Sequence, residues 1–271
     1  MNSGFKERGY ETVDVFSKAE VAKYQTVIAD QANERLDLES DKSLHWNVKH
    51  GVSLNPDLWS LITHPRVQEA VREILSSTEI RYAENSDIKI WRKQPASGWH
   101  RDSVRKEPEG GSMEEDGYGI VRVGCYFQSA DFGFMWGGIP GSHRQEHQLS
   151  SSEQAVWKDL MPKPPVSIGS RLDHLPAPDG RPWIRTHSPA LPEEPPVQPV
   201  WIPTKPTECV IFDPRIIHAG GPVNALKVAA FFAFGVDNHH TREHRDYFSP
   251  DENPRSQNLK DYLKAHGLQM K

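Results

Sequence analysis

His100 and Asp102 stand two residues apart in Gly98-Trp99-His100-Arg101-Asp102-Ser103, and His218 follows 116 residues after Asp102 in Ile216-Ile217-His218-Ala219-Gly220-Gly221. Two imidazoles and one carboxylate suit Fe(II). They fill one face of an octahedral ion and leave the opposite face open for a co-substrate and O2. Residues i and i+2 of a strand project to one side, so His100 and Asp102 are expected to point together into a barrel interior while Arg101 points away. The third ligand must come from another strand end, which accounts for the long separation. Neither Cys125 nor Cys209 lies near the motif, which disfavours structural zinc. The chemistry to expect of such a site is O2-dependent oxidation.

The elements that must position these side chains change character along the chain. Ser17-Lys18-Ala19-Glu20 reads as a capping box, followed by Val21, Tyr24, Val27 and Ile28 at mostly helical spacing. Thr12 to Phe16 reads as a short strand before it. Further helices are expected over Pro56 to Ile62 and over Pro65 to Leu75, the latter with Thr63 as cap and Pro65 in its first turn. From Ile80 the period becomes two. Ile88 to Trp91, Ile120 to Phe127, Cys209 to Phe212 and Val228 to Phe234 all read as strands. Helices first and strands afterwards predict an α+β chain whose core is a β-sandwich or barrel. Residues 1–80 would be a mainly helical support packed on one sheet, 80–240 the core, and 238–271 a helical tail, all in one domain of 271 residues. Residues 162–206 carry 13 of the 22 prolines, which rules out regular helix or central strand throughout. Residues 150–206 are therefore expected to be an insertion over one mouth of the barrel.

Composition narrows the function classes. A net charge of -5 argues against nucleic acid as a partner. The longest clean apolar run, Val228 to Phe234, is far too short to span a bilayer, and the N-terminal residues lack the apolar core of a signal peptide. Two cysteines in apolar runs are most simply buried free thiols. The expectation is a cytoplasmic enzyme acting on a small molecule, its oligomeric state left open.

Three stretches resemble a known family. Trp99-His100-Arg101-Asp102, Gly137-Gly138-Ile139-Pro140-Gly141-Ser142-His143 and Val210 to Pro222, in that order, are similar to the W-H-x-D, P-G-S-H and F-D-x-R-x-x-H-x-G segments of the phytanoyl-CoA dioxygenase family of Fe(II)/2-oxoglutarate oxygenases. The resemblance implies a double-stranded β-helix (jelly-roll) core. It also implies iron held by His100, Asp102 and His218, and O2 and 2-oxoglutarate as co-substrates. The keto acid would be converted to succinate and CO2 as a substrate C–H bond is hydroxylated, desaturated or closed into a ring. Related halogenases carry Gly or Ala where Asp102 stands, so its presence favours C–H oxidation over halogenation. The family usually places an Arg nine to eleven residues after the distal His, to grip the far carboxylate of 2-oxoglutarate. Here Lys227 stands nine residues after His218, and Arg122 on the strand after the H-x-D loop is a second candidate. Lys can bind a carboxylate but lacks the fork geometry of Arg.

Two other readings compete. A cupin-like dioxygenase or isomerase without 2-oxoglutarate would have no cation near the metal's open face. A noncatalytic jelly-roll binding module would bind no metal. Among other residues, Asp213 and Arg215 are expected to form a structural ion pair. Trp99 and Trp136 would wall the pocket or the core, and Ser103 would cap a turn or contact the co-substrate or substrate. Gly137, Gly138 and Gly141 would shape a turn, with His143 in a structural role. His240 and His244 would lie on a solvated helix. The acidic loop Arg105 to Gly117 could close over substrate.

Overall fold

The computed structural model describes residues 3–33, 36, 38, 42, 44–94, 97, 100–102, 117–127, 134–144, 200–221, 223, 226–248 and 254–270. The acidic loop up to residue 116, Trp99, Ser103 and the proline-rich segment before Val200 lie outside them.

Helices α1 (Ser3–Arg8), α2 (Lys18–Asn33), α3 (Trp59–Ile62) and α4 (Pro65–Leu75) alternate with strands β1 (Tyr10–Asp14), β2 (Leu44–Val48), β3 (Arg81–Tyr82) and β4 (Asp87–Arg92). Then come β5 (Ile120–Tyr126), β6 (Phe134–Gly138), β7 (Val200–Thr204), β8 (Glu208–Phe212), β9 (His218–Gly220) and β10 (Lys227–Gly235), followed by α5 (His239–Phe248) and α6 (Pro254–Ala265). A major antiparallel sheet runs β1-β8-β5-β10-β4-β2, with β3 also paired to β10, and a minor sheet runs β7-β6-β9. This is a mixed helix and strand architecture with antiparallel sheets, as expected.

The local chemistry explains the elements. At the start of α2 the Ser17 backbone N–H and hydroxyl both donate to Glu20 Oε2 at 2.8 and 2.7 Å, and the Glu20 N–H returns a bond to Ser17 Oγ at 3.3 Å, the expected capping box. Before α4 the cap is His64 rather than Thr63. Thr63 instead closes α3, its hydroxyl donating to the Trp59 carbonyl. Pro203 sits in β7 on the edge of the minor sheet, where a missing N–H costs no ladder bond. Val200–Thr204, inside the range expected for the insertion, is sheet, and residues 150–199 of that range lie outside the described residues. The N-terminal support also contributes more than helix: β1 and β2 form both edges of the major sheet.

Period two divides the major sheet. Val121, Val123, Cys125, Ile211, Val228, Ala230, Phe232, Phe234, Ile88 and Ile90 face outward and form one buried cluster with side chains of α2, α3, α4 and α6. The opposite parity of the same strands faces the minor sheet, with Tyr126, Val210, Phe212, Ala229 and Phe231 packed against Phe134 and Trp136. The cysteines are free and buried as predicted. α5 differs from expectation: His240, Thr241 and His244 are buried rather than solvated.

Candidate metal centre

The minor sheet is extended by the segment that carries the H-x-D pair. His100 and His218 exchange backbone hydrogen bonds of 2.9 Å in both directions, and the Ser97 N–H donates to the Gly220 carbonyl at 2.9 Å. The Asp102 N–H reaches the Pro214 carbonyl at 2.8 Å. The two halves of the motif, 116 residues apart in sequence, are thus neighbours through backbone pairing. Arg101 points the other way, as alternation requires, and its guanidinium donates to the carbonyls of Ser142 and Arg215.

Asp102 places one carboxylate oxygen 3.6 Å from His100 Nε2 and the other 3.3 Å from His218 Nε2. One ligand atom from each of the three residues lies within 4.8 Å of the others, and no other such His/Cys/Asp/Glu group occurs among the described residues. Bonds of about 2.0–2.2 Å at right angles would set neighbouring ligand atoms about 3 Å apart, so the donor set fits a divalent ion. The His218 Nδ1–H donates to the Ile216 carbonyl at 3.1 Å, which fixes the ring with Nε2 toward Asp102. Phe212 and Trp136 flank the same ring. Burial alone would raise the Asp102 carboxyl. The adjacent Arg122 guanidinium, with His218 and His100, instead holds it well below the usual carboxylate range.

Arg122 does point inward, but it is already engaged. It donates to Asp102 and, at 3.0 Å, to Asp87. Lys227 is different. It is buried beside the same pocket, with Nζ 3.5 Å from the Phe134 ring centroid and 4.6 Å from that of Trp91. Among the described residues its ammonium has no hydrogen bond or ion pair. Burial, and then the charge of Lys89, push its ammonium well below the usual lysine range. The pocket connects this lysine with His100, Asp102 and His218, and Trp136 is one of its walls.

Other expectations resolve as follows. Asp213 and Arg215 form their ion pair, at 2.7 Å. His143 is structural, its Nε2–H donating to the Lys6 carbonyl at 3.0 Å. Gly137 and Gly138 lie in β6 rather than in a turn. A Cβ on Gly137 would come within 2.6 Å of the Trp201 ring, so glycine is there for close packing. Two inward residues escaped the sequence reading, Asp87 and Lys89. The signal for both was the parity of Ile88 and Ile90: if those face the helices, then Asp87, Lys89 and Trp91 must face the site.

No curated protein matches the sequence. Among solved structures the chain is similar to the epimerase SnoN in complex with Fe3+, alpha ketoglutarate and nogalamycin RO, at 14% identity over 86% of this chain and 81% of that one, TM-score 0.54. It is also similar to the carbocyclase SnoK from nogalamycin biosynthesis, at 16% identity over 86% and 81%, TM-score 0.53. A third similarity is to HygX from Streptomyces hygroscopicus with nickel and 2-oxoglutarate bound, at 12% identity over 86% and 85%, TM-score 0.55. At such identities the likeness concerns the jelly-roll fold. The phytanoyl-CoA dioxygenase (PhyH) family model matches residues 5–227. The chain therefore belongs to the phytanoyl-CoA dioxygenase family of non-heme, Fe(II)/2-oxoglutarate-dependent enzymes.

Proposed function

We propose that this protein oxidises a C–H bond of a small organic molecule, with 2-oxoglutarate and O2 consumed and succinate and CO2 released. The observation that carries this reading is the convergence of His100, Asp102 and His218 in a pocket that also holds Lys227, a buried lysine whose ammonium has no ion pair among the described residues. Family membership, and the small molecules bound by structural neighbours such as SnoN, support it.

His100, Asp102 and His218 would hold Fe(II). Bound there, iron supplies O2 activation coupled to oxidative decarboxylation of the keto acid. The rest is work done by this chain's own groups. His218 presents Nε2 because its Nδ1–H is committed to the Ile216 carbonyl. Arg122 keeps the Asp102 carboxylate ionised and fixed, and is thereby an orienting residue rather than the co-substrate anchor. Lys227 takes the distal carboxylate of 2-oxoglutarate, the one partner its buried ammonium lacks. The rings of Trp91, Phe134 and Phe231 exclude water around that pair, which strengthens it. Within the reaction, Asp102 favours transfer of oxygen or removal of hydrogen over halogenation.

The test is anaerobic addition of Fe(II) and then 2-oxoglutarate, watching for the visible iron-to-keto-acid absorption band. The wild-type protein should develop it, and His100→Ala and His218→Ala should abolish both the band and succinate release. Asp102→Gly should cripple turnover. A band of normal strength in either histidine variant contradicts the ligand set.

A further inference from the structure

The pocket holds a second cation that the proposed function leaves unused. Lys89 lies on β4 opposite Ala229 of β10, and Lys227 lies opposite Trp91, so the two lysines project from neighbouring strands onto the same inner face. Both ammonium groups hover over the same two rings. Lys89 Nζ is 5.6 Å from the Trp91 centroid and 5.0 Å from that of Phe231, and Lys227 Nζ is 4.6 and 6.0 Å from them. Among the described residues neither ammonium has a hydrogen bond or an ion pair, whereas the guanidinium of Arg122 has two carboxylates.

Two like charges in one aromatic pocket repel each other and have given up water to be there. Cation–π contact returns only part of that cost. Lys89 is affected by the charges of Arg122, Asp102 and Asp87, while the charge acting on Lys227 is that of Lys89. In the register of β4 with β10, Lys89 stands one inner-face position from Lys227 and one from Asp87, which meets Arg122, and both lysines line the pocket with His100, Asp102 and His218.

We propose that Lys89 and Lys227 form a two-point clamp for the distal carboxylate of 2-oxoglutarate, each ammonium donating to one carboxylate oxygen. The clamp rests on the oxygenase reading above and extends it. A single Lys in place of Arg loses the bidentate fork, and a second Lys from the adjacent strand rebuilds it from two separate donors. It also sets specificity: a keto acid without a distal carboxylate leaves both cations unsatisfied.

The test is calorimetric titration of the Ni(II)-loaded protein with 2-oxoglutarate and with 2-oxobutyrate, which lacks the distal carboxylate. Lys89→Met and Lys227→Met should each weaken 2-oxoglutarate by about 10- to 100-fold, the range of a charge-assisted hydrogen bond, and leave 2-oxobutyrate nearly unchanged. The clamp is overturned if Lys89→Met binds 2-oxoglutarate as the wild type does. Equal loss of both keto acids also overturns it, since that is general damage to the site. A wild-type protein that binds neither acid sinks the oxygenase reading, and the clamp with it.

Discussion

The two faces of the major sheet are built from alternate residues of the same strands, yet they do opposite work. On β5, Val121, Val123 and Cys125 enter the layer beneath the helices, while Arg122 and Tyr126 enter the pocket. On β10, Val228, Ala230, Phe232 and Phe234 face the helices, while Lys227, Ala229 and Phe231 face the minor sheet. On β4 the split is Ile88 and Ile90 against Asp87, Lys89 and Trp91. The outer face is almost wholly apolar, and burying it supplies the stability that fixes the strands. The inner face collects charges whose burial costs free energy, and it is held in place by the outer one. Stability and binding should accordingly separate by residue parity.

The largest separation is expected at Phe232, which is fully buried on the outer face. Phe232→Ala should cost about 3–5 kcal/mol, as truncation of a core aromatic does, seen as a lower denaturant midpoint at unchanged slope. Affinity of the remaining folded protein for metal and 2-oxoglutarate should stay within about two-fold. If binding falls in step with stability, the two faces are not independent.

The outer face has a polar inclusion where β3 gives way to β4. Glu84 and Asn85 both take left-handed backbone conformations, φ 60 and 50. Glu84 is fully buried, with Ser53 Oγ 2.7 Å from its carboxyl and Tyr82 OH and Ser86 Oγ each 2.7 Å from Ser53 Oγ. Burial raises its pKa from 4.5 to about 7, against the lowering effect of the Ser53 and Ser86 hydroxyls and of Arg245 and Lys260. A carboxyl raised in the folded state contributes fully below the unfolded value, and its contribution is lost as pH rises through the folded value. Between pH 4.5 and about 7 the wild type should therefore lose about 2–3 kcal/mol through this group. Glu84→Gln should flatten the curve of unfolding free energy over that window. Parallel curves for the two proteins would refute the assignment.

How much of this was legible in the sequence depended on whether partners were local. The capping box at Ser17 and Glu20 could be read because its partners are three residues apart. β5, β8 and β10 were legible because long runs of branched and aromatic residues fit little else. The triad was legible because alternation puts His100 and Asp102 on one side, whatever else the chain does. β2 was not, although Leu44-His45-Trp46-Asn47-Val48 alternates, because five residues between polar stretches carry little weight without their partner β4. Which of Arg122 and Lys227 already meets a carboxylate was illegible for a sharper reason. It turned on Asp87, 35 residues before Arg122, and no pattern in the sequence shows that Arg122 meets carboxylates while Lys227, among the described residues, meets none.

The smallest expected effect tests that neutralisation directly. Asp87 does not belong to the triad, and its carboxylate meets the guanidinium that holds Asp102. Asp87→Asn keeps the shape and an acceptor for Arg122 but removes one negative charge from the inner face. The Arg122 charge then bears more fully on Asp102 and on any cation beside it. Metal affinity should drop by about 3- to 10-fold, at or below the low end of what outer-shell partners of a metal site contribute, as read by competition with a chelator. The denaturant midpoint should hardly move, because Asp87 is on the binding parity and partly exposed. A variant that loses stability while keeping metal affinity would mean that the Asp87–Arg122–Asp102 chain serves the fold, and the division of labour between the two faces would fail at the point where it is most finely drawn.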